Sequence, residues 1–467
     1  MNDLSDTIIR NGLVVTNTKQ YKVDIRIAGD KISQIGSKLP KSENSEREID
    51  ADGLLILPGG IDPHVHLSLP DYVPKKYRWA DDFESGSKAA LAGGITTLGC
   101  ISVPDQNETP LGTLKRETKA AQQQAIADIM IHPVLSSPTE EILQEFPRLV
   151  EKGCTTIKVF MCTNDFDEHS LEYIKALQAA EDAGILTMIH CEDNAIITAT
   201  CQAMMVEGRG SLANYAESRP VISEVVATQR AVSMCETTGA SIYVVHLSSE
   251  RALQVCKEAQ ARSLPVYVEG RPIFLYLTQE QYLKPDGALY VVQPPLREAN
   301  DIAALWEGVS KGSIHTVATD HAPHTREQKL DPTLNVLDLL PGINELQVML
   351  PMLHSKGVLK GKISLEHFVE LTSTNVAKLF GLYPRKGTIQ VGSDADLTLW
   401  DPSEEREVKN TEMFSKAGFS IYEGTKITGW PQITIRRGEV VYEGRKITAQ
   451  PNSGQVVQRL HRQALNQ

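Results

Sequence analysis

Six side chains that could bind metal ions lie at or near the ends of five strand-like segments of this sequence. The first segment, PGGIDPHVHL, contains His64 and His66, and residues two apart on a strand point to the same face. The other four segments, TTIKVF, ILTMIH, IYVVH and IHTVATD, contribute Lys158, His190, His246 and Asp320. Imidazole nitrogens and carboxylate oxygens are ligands of zinc and similar divalent ions. The set therefore predicts a metal site.

The same side chains could hold two divalent ions if a further group bridged them. Two-metal hydrolytic sites hold their ions roughly 3.5–4 Å apart and use them to activate a nucleophile and polarise an electrophile. Burial and neighbouring cations would both push Lys158 towards its neutral form. A neutral amine can add carbon dioxide to form a carbamate, whose two oxygens could bridge both ions. The alternative for Lys158 is a snorkelling or ion-paired lysine.

The elements that must position these residues alternate between short apolar strands and helices from about residue 58 to residue 380. Asp81 to Gly93 has an acidic start, small helix-forming residues and a terminal glycine, as helices do. The segments 171–184 and 224–239 show the same pattern. This alternation predicts an α/β fold, a (β/α)8 TIM-like barrel over residues 58–384, in which the chemistry lies at the C-terminal ends of the strands.

Both ends of the chain are rich in β-branched residues and turn signals. The segments 7–17 and 24–35 resemble hairpins, and 394–401 and 433–447 are short strands broken by glycine. We therefore expect residues 1–57 and 385–467 to form one small β-sandwich built from both chain termini.

Composition excludes several other classes of protein. The chain has 467 residues and a formal net charge of −12 without any basic run, which argues against a nucleic-acid partner. No stretch approaches the roughly 20 apolar residues of a membrane helix, and the N-terminus lacks a signal-peptide pattern. Seven cysteines without a CxxC pair predict reduced thiols and a cytoplasmic protein.

The motifs PGGIDPHVHL, IKVFM, IHCED, VVHLSS and ATDHAPH, in this order, resemble those of the amidohydrolase superfamily. More narrowly, they are similar to the cyclic amidohydrolases: dihydropyrimidinases (hydantoinases), dihydroorotases and allantoinases. The resemblance implies that Lys158 is an N6-carboxylysine that bridges two divalent ions, zinc or alternatively manganese or cobalt. It assigns one ion to His64, His66 and Asp320, and the other to His190 and His246.

The resemblance also implies a reaction. A metal-bridging hydroxide would attack the carbonyl carbon of a ring amide, and Asp320 would take its proton and pass it to the leaving nitrogen. Scaffold relatives of these enzymes have lost the metal ligands, whereas this chain retains all six residues. We therefore expect an enzyme and keep a non-catalytic scaffold as an alternative. The family often forms tetramers, so a homo-oligomer is expected.

Two departures argue against dihydroorotate as the substrate. Ser68 stands where dihydroorotases have an arginine for the substrate carboxylate, and Asp105 stands where they have an asparagine. An aspartate there would repel an anion. The segments ADDFESGSKAALAGGITT and VQPPLRE look most like the dihydropyrimidinase branch, which predicts a small cyclic amide substrate, a hydantoin or a dihydropyrimidine. Dihydroorotase or allantoinase activity with the same metal chemistry is the alternative.

The expected substrate contacts are less regular. The tyrosine that dihydropyrimidinases use after the lysine strand is absent from Met161 to Asn164. Gln293, His324 and Asn344 are the candidates for substrate binding. His321 is expected to orient neighbouring metal ligands, and Arg271 to form a surface or structural salt bridge.

Overall fold

The computed structural model describes residues 6–41, 47–460 and 462. The first five residues and parts of both predicted terminal regions, 42–46, 461 and 463–467, lie outside the described residues. The strands of the N-terminal region are β1 Thr7–Arg10, β2 Leu13–Val15, β3 Gln20–Lys22, β4 Asp24–Ala28, β5 Lys31–Gly36, β6 Arg47–Asp50 and β7 Leu55–Pro58.

The middle of the chain alternates strands with helices. Its strands are β8 Gly60–Val65, β9 Ile95–Ser102, β10 Asp128–Pro133, β11 Thr156–Phe160, β12 Leu186–His190, β13 Ile242–Val244, β14 Val266–Gly270 and β15 Thr316–Val317. The C-terminal region returns to strands only, namely β16 Leu397–Glu407, β17 Lys426–Arg436, β18 Glu439–Glu443 and β19 Lys446–Ile447.

The helices connect these strands and pack around them. They are α1 Phe83–Ala92, α2 Pro110–Gln124, α3 Glu140–Leu143, α4 Phe146–Glu151, α5 Asn164–Glu168, α6 Ser170–Ala183, α7 Asn194–Val206, α8 Tyr215–Ser218, α9 Val221–Thr238, α10 Glu250–Ala261, α11 Pro272–Tyr276, α12 Ala299–Lys311, α13 Arg326–Lys329, α14 Met349–Leu353, α15 Leu365–Val369 and α16 Asn375–Leu379. Short 3-10 turns cover 75–77, 212–214, 279–283, 287–290 and 410–412, and π-helical turns cover 354–358 and 370–374.

Local sequence explains where the predicted helices begin and end. Helix α1 starts at Asp82, whose carboxylate accepts a hydrogen bond from the backbone amide of Ser85, while the Ser85 hydroxyl accepts one from the Asp82 amide. Helices α6 and α9 stop at Gly184 and Gly239, whose φ angles of 74° and 73° suit glycine. All three predicted helices are therefore confirmed, with bounds shifted by one to three residues.

Eight parallel strands form the middle of the molecule. One sheet has the order β10-β9-β8 and the other β11-β12-β13-β14-β15. Two isolated parallel bridges join these sheets on both sides: Val134 pairs with Lys158, and Val65 pairs with His321. Because the strands are parallel, their C-terminal ends all lie on one side of the sheets. The candidate metal ligands lie at or near these ends and are therefore on that side.

Two of the predicted strands end earlier than expected. The apolar patterns predict His246 and Asp320 at strand ends, but β13 stops at Val244 and β15 stops at Val317. His246 has a φ of 38° and Asp320 a φ of 47°, so the backbone has already left the extended conformation at both residues. Their side chains are thus presented from strained loop positions just beyond the strands.

The terminal strands pair with each other. A seven-stranded sheet has the order β19-β18-β17-β16-β7-β2-β3, in which N-terminal β7 runs antiparallel to C-terminal β16. A second sheet has the order β5-β4-β1-β6. Buried side chains from both sheets, among them Ile9, Ile25, Ile56 and Leu397, belong to one apolar cluster. The two chain ends therefore share one apolar cluster, while other buried residues of the terminal strands, such as Leu57 and Trp400, belong to the same cluster as the parallel strands.

Two further expectations concern the chain as a whole. All seven cysteines are free thiols in the structure. Among the described helices, none has the length and apolar character needed to cross a membrane.

Candidate functional site

His64, His66 and Asp320 converge at the C-terminal side of the parallel strands. The Oδ1 atom of Asp320 lies 3.0 Å from Nε2 of His66 and 3.3 Å from Nε2 of His64. All three residues are buried, and one ligand atom from each lies within 4.8 Å of the others. Two imidazoles and a carboxylate at this spacing could hold one divalent ion.

A second pair of imidazoles lies beside this group. Nδ1 of His190, the last residue of β12, lies 3.0 Å from Nε2 of His246. The rings of His64 and His246 are stacked with centroids 5.4 Å apart, which makes the pair a direct neighbour of the first group. Nε2 of His190 contacts the buried carboxylate of Glu192 at 2.8 Å. The predicted histidines are therefore brought together in one place.

Lys158 on β11 is fully buried, and its Nζ atom has no hydrogen-bond partner among the described residues. Burial lowers the pKa of this amine to about 8, against the opposing effect of the Glu269 and Asp320 carboxylates. An unpartnered buried amine is costly in a protein interior. Its neighbourhood contains four imidazoles and a carboxylate, a donor set that suits divalent ions of the zinc type.

Burial also determines the charge of most imidazoles. It lowers the pKa of His66 to about 4 and the pKa values of His64 and His246 well below their ordinary value. Neutral imidazole is the form that binds metal ions. Burial acts in the same sense on His190, but Cys162 and Glu192 outweigh it and raise the pKa of this imidazole to about 9. A metal ion at His190 would thus have to displace a proton.

Glu269 is a site residue that the sequence motifs do not indicate. Its buried carboxylate accepts a hydrogen bond from the His246 backbone amide at 2.8 Å and lies 2.9 Å from Nδ1 of His64. This contact directs Nε2 of His64 towards Asp320. The residue lies on β14, at the C-terminal end of a strand in the same parallel sheet. That strand position was the available signal, because it is where the other site residues were found.

Arg271 was expected in a surface or structural salt bridge, and the structure places it in a buried one. Its Nη1 atom donates to Oδ2 of Asp320 at 2.7 Å. Burial opposes ionisation of Asp320, but the Arg271 guanidinium and His64 hold the pKa of this carboxyl well below its usual range. Asp320 is therefore a carboxylate whose Oδ2 contacts Arg271 and whose Oδ1 contacts His64 and His66.

A cavity of about 130 Å³ opens onto these groups. Besides the histidines and Asp320, its walls include Trp79, Phe160, Cys162, Gln293 and Pro341. The Trp79 ring lies 4.8 Å from that of His66, so an indole forms one wall next to the metal-ligand candidates. The described lining residues include neither lysine nor arginine. The cavity can thus accept a small neutral molecule against aromatic surfaces.

The predicted substrate-binding residues occupy different positions. Gln293 lines the cavity. Asn344 does not, and its amide donates to the backbone carbonyl of Phe419 at 2.5 Å. His324 is buried outside the lining, and burial lowers its pKa to about 4. His321 lies 2.9 Å from Oδ2 of Asp81, so its ring is held in a fixed orientation next to Asp320.

Comparison with known proteins places this site in a family. The profile of the amidohydrolase family matches residues 55–441. The D-hydantoinase of Geobacillus stearothermophilus is 36% identical over 459 residues, which cover 97% of this chain and 96% of that relative. The D-hydantoinase of Ralstonia pickettii is 34% identical over 460 residues, covering 97% and 99%. The crystal structure of dihydropyrimidinase from Brevibacillus agri matches with a TM-score of 0.92 at 33% identity, covering 98% of this chain and 100% of that one. With matches that span nearly its whole length, the chain belongs to the amidohydrolase family.

Proposed function

We propose that this chain is a metal-dependent hydrolase that opens the ring of a small cyclic amide, a hydantoin or a dihydropyrimidine. The observation that carries the proposal is the convergence of His64, His66 and Asp320 at one cavity with the His190–His246 pair. The relatives named D-hydantoinase and dihydropyrimidinase support the substrate class because they match almost the entire chain.

The proposed cofactor is a pair of divalent ions, zinc in preference to manganese or cobalt. His64, His66 and Asp320 would hold one ion, while His190 and His246 would hold the other. Lys158 would carry a carboxyl group and bridge them, which its burial, its lowered pKa and its unpartnered Nζ support. When bound, such ions polarise a carbonyl group and lower the pKa of a water molecule towards neutrality.

The chain's own residues would do the rest. Asp320 is the proposed catalytic residue: its carboxylate lies on the cavity side occupied by His64 and His66, where it can accept a proton from the attacking water. The carboxylate would then donate that proton to the leaving ring nitrogen. The side-chain amide of Gln293 can both donate to a ring carbonyl and accept from a ring N–H. Trp79 and Phe160 offer apolar walls that limit access of bulk water.

The cavity supports a neutral ring rather than an anionic one. Its described lining has no lysine or arginine to pair with a substrate carboxylate, and Ser68 donates to Glu117 at 3.0 Å instead of lining the cavity. Without a cationic side chain beside it, a buried substrate carboxylate would bear a large desolvation cost. Dihydroorotate should therefore be a poor substrate compared with hydantoin.

The direct test is ring opening by protein reconstituted with zinc or manganese. Dihydrouracil, hydantoin and a 5-substituted hydantoin would be followed by loss of ultraviolet absorbance, beside dihydroorotate, with allantoin followed by a colour assay. Turnover of the neutral rings is the expected result. Turnover of dihydroorotate or allantoin alone would keep the metal chemistry and reject the substrate class. Absence of metal from protein purified in metal-supplemented medium would favour a scaffold.

The finer architecture and the assembly are also proposals. We propose that β8–β15 close into a (β/α)8 barrel over residues 58–384, which the two parallel bridges support. We propose that 1–57 and 385–467 form the composite β-sandwich, which the pairing of β7 with β16 supports. A homotetramer in the cytoplasm is the proposed assembly and location. Light scattering after size-exclusion chromatography would test the subunit number, and fractionation of cells would test the location.

A further inference from the structure

The guanidinium of Arg271 contacts Asp320 at two different groups. Nη1 donates to the side-chain oxygen Oδ2 at 2.7 Å, and Nη2 donates to the backbone carbonyl of the same residue at 3.2 Å. The arginine side chain is fully buried. Asp320 has a φ of 47°, a left-handed conformation that costs energy in a non-glycine residue. One rigid planar group therefore holds both the strained backbone and the carboxylate of this residue.

Arg271 is paired with a second buried carboxylate on its other side. Its Nε atom forms an ion pair with Oε2 of Glu345 at 3.5 Å, beyond hydrogen-bond geometry, and the Glu345 side chain is also fully buried. The other glutamate oxygen accepts a hydrogen bond from the Tyr422 hydroxyl at 2.6 Å. Tyr422 lies in the connection between β16 and β17, residues 408–425, which follows a strand of the terminal sheet. A continuous buried series of polar contacts thus runs from this connection to Asp320.

The same connection reaches the site by a second route. The backbone amide of Lys416 donates to Oδ1 of Asp81 at 2.7 Å, and the Ser415 hydroxyl donates to Oδ2 at 2.5 Å. Oδ2 of Asp81 also lies 2.9 Å from Nε2 of His321, the residue that follows Asp320. Residues 408–425 therefore support two consecutive residues of the site.

We propose that Arg271 is a positioning residue for Asp320. Arg271 is in turn held in place by Glu345, which accepts a hydrogen bond from Tyr422 in the connection 408–425. With Oδ2 fixed by the arginine, Oδ1 faces Nε2 of His64 and His66, the orientation in which it can join them on a metal ion. The terminal region would thereby set the geometry of the catalytic carboxylate. This inference rests on the proposed function for its kinetic readout, but its metal-binding readout does not depend on that function.

Three variants test the proposal. Arg271→Met removes the positive charge and both hydrogen bonds to Asp320, whereas Arg271→Lys keeps the charge but not the paired hydrogen bonds. Tyr422→Phe removes one distant hydroxyl group. Zinc affinity would be measured by competition with a chromophoric chelator, and kcat and KM would be measured with hydantoin. Both arginine variants should bind zinc about 10–100-fold more weakly than the parent, the usual cost of removing a residue that orients a metal ligand. Tyr422→Phe should lower kcat about two- to fivefold at unchanged KM, in keeping with the loss of one hydrogen bond.

Matched controls separate positioning from general stability. Tyr173→Phe removes a buried hydroxyl that donates to the Leu135 carbonyl, and Arg459→Met removes a buried guanidinium that donates to the Gly153 and Ile131 carbonyls. Both controls should keep parental zinc affinity and kcat in the folded fraction.

Two outcomes would overturn the proposal. Parental zinc affinity and kcat in Arg271→Lys would mean that only the charge matters. If Arg271→Met and Tyr422→Phe have the same zinc affinity and kcat as their controls Arg459→Met and Tyr173→Phe, the contacts from Tyr422 to Asp320 only stabilise the fold. If Arg271→Met does not fold, Tyr422→Phe decides alone. If the parent opens no ring, the proposed function fails, whereas zinc affinity still decides the positioning role.

Discussion

Oε1 of Glu269 lies 2.9 Å from Nδ1 of His64 and also accepts a hydrogen bond from the backbone amide of His246 at 2.8 Å. One buried side chain therefore fixes a residue from each of the two histidine groups. Carboxylates that contact a metal-binding imidazole set its tautomer and ring orientation. Here the contact leaves Nε2 of His64 free to face Asp320.

Replacing this carboxylate should weaken metal binding while leaving the fold intact. Burial raises the pKa of Glu269 to about 8, so the glutamate ionises readily only beside a bound cation; Glu269→Gln keeps the shape and one acceptor oxygen but cannot ionise, so it orients His64 less strongly. We expect zinc affinity to fall about 10–100-fold, measured by chelator competition on the metal-free protein. Glu117→Gln is a matched control, because Glu117 is also buried but contacts Ser68 and Arg116. Parental affinity in Glu269→Gln would contradict the orienting role.

Lys158→Met should have opposite effects on stability and metal content. The substitution removes a buried amine that has no hydrogen-bond partner among the described residues and replaces it with an apolar side chain of similar length. In the metal-free state this should raise the free energy of unfolding by about 1–3 kcal/mol, measured by urea titration. Metal analysis of the same variant should show loss of the bridged ions together with ring-opening activity.

The control for this experiment is Lys362→Met. The Lys362 amine lies 4.1 Å from the Trp306 ring centroid, outside the cavity, so this variant should keep its metal and its activity. Retention of two ions and full activity in Lys158→Met would exclude the bridging role. A separate check is reconstitution of the metal-free parent with and without bicarbonate, since a carboxylated lysine requires carbon dioxide for assembly.

The convergence of the metal-ligand candidates could be predicted from sequence because each of them lies in or just after a short apolar strand segment, although two of these strands end earlier than the sequence predicts. Parallel strands bring such residues to one side whatever their separation, which explains why His190 and His246 meet although they are 56 residues apart. The pairing of the chain ends was also visible, because both are rich in β-branched residues and turns.

The supporting residues could not be predicted in the same way. Arg271 and Asp320 are 49 residues apart, and an arginine after a strand reads as a surface residue unless its tertiary partner is known. The left-handed backbone at His246 and Asp320 was missed for a related reason: their sequences continue apolar strand patterns, while tertiary hydrogen bonds hold the strained conformation. The role of Tyr422 depends on a connection whose sequence has no regular period.

Acid should destabilise the protein in part through His315. Burial lowers the pKa of this imidazole to about 4, and its Nδ1 atom accepts the Val268 backbone amide at 3.1 Å. The unfolded chain binds a proton near pH 6.5 and the folded chain only near pH 4, so this contribution to stability is complete above pH 6.5 and is lost as pH falls towards 4. The slope from this group alone is about 1.4 kcal/mol per pH unit.

His315→Asn tests this contribution because the asparagine oxygen can accept the same amide without titrating. Urea titrations between pH 7 and pH 4 should show a shallower loss of stability in this variant than in the parent. His169→Asn removes a more exposed histidine and should follow the parent curve. Equal slopes for the parent and His315→Asn would show that the buried imidazole contributes nothing to acid sensitivity.

Lys329 links two loops that contain cavity-lining residues. Its buried Nζ atom donates to the backbone carbonyls of Val291 at 2.9 Å, Leu340 at 3.0 Å and Gly342 at 2.6 Å. The first carbonyl lies two residues before Gln293, and the other two flank Pro341, so one amine holds together two loops that line the cavity. Burial lowers the pKa of the Lys329 amine, and donation to all three carbonyl oxygens requires its protonated form, which has three N–H groups.

Lys329→Met should therefore affect substrate binding more than metal binding. The three buried carbonyls would lose their donor, which should lower the free energy of unfolding by about 2–5 kcal/mol. As the loops separate, KM for hydantoin should rise about tenfold with a smaller change in kcat, because misplaced binding groups cost affinity before they alter the reacting atoms. Zinc content should stay at the parental level, because none of the candidate metal ligands bonds to Lys329. Steady-state kinetics at matched metal loading measures the split. An unchanged KM in a destabilised variant would assign Lys329 to the stability of the fold alone.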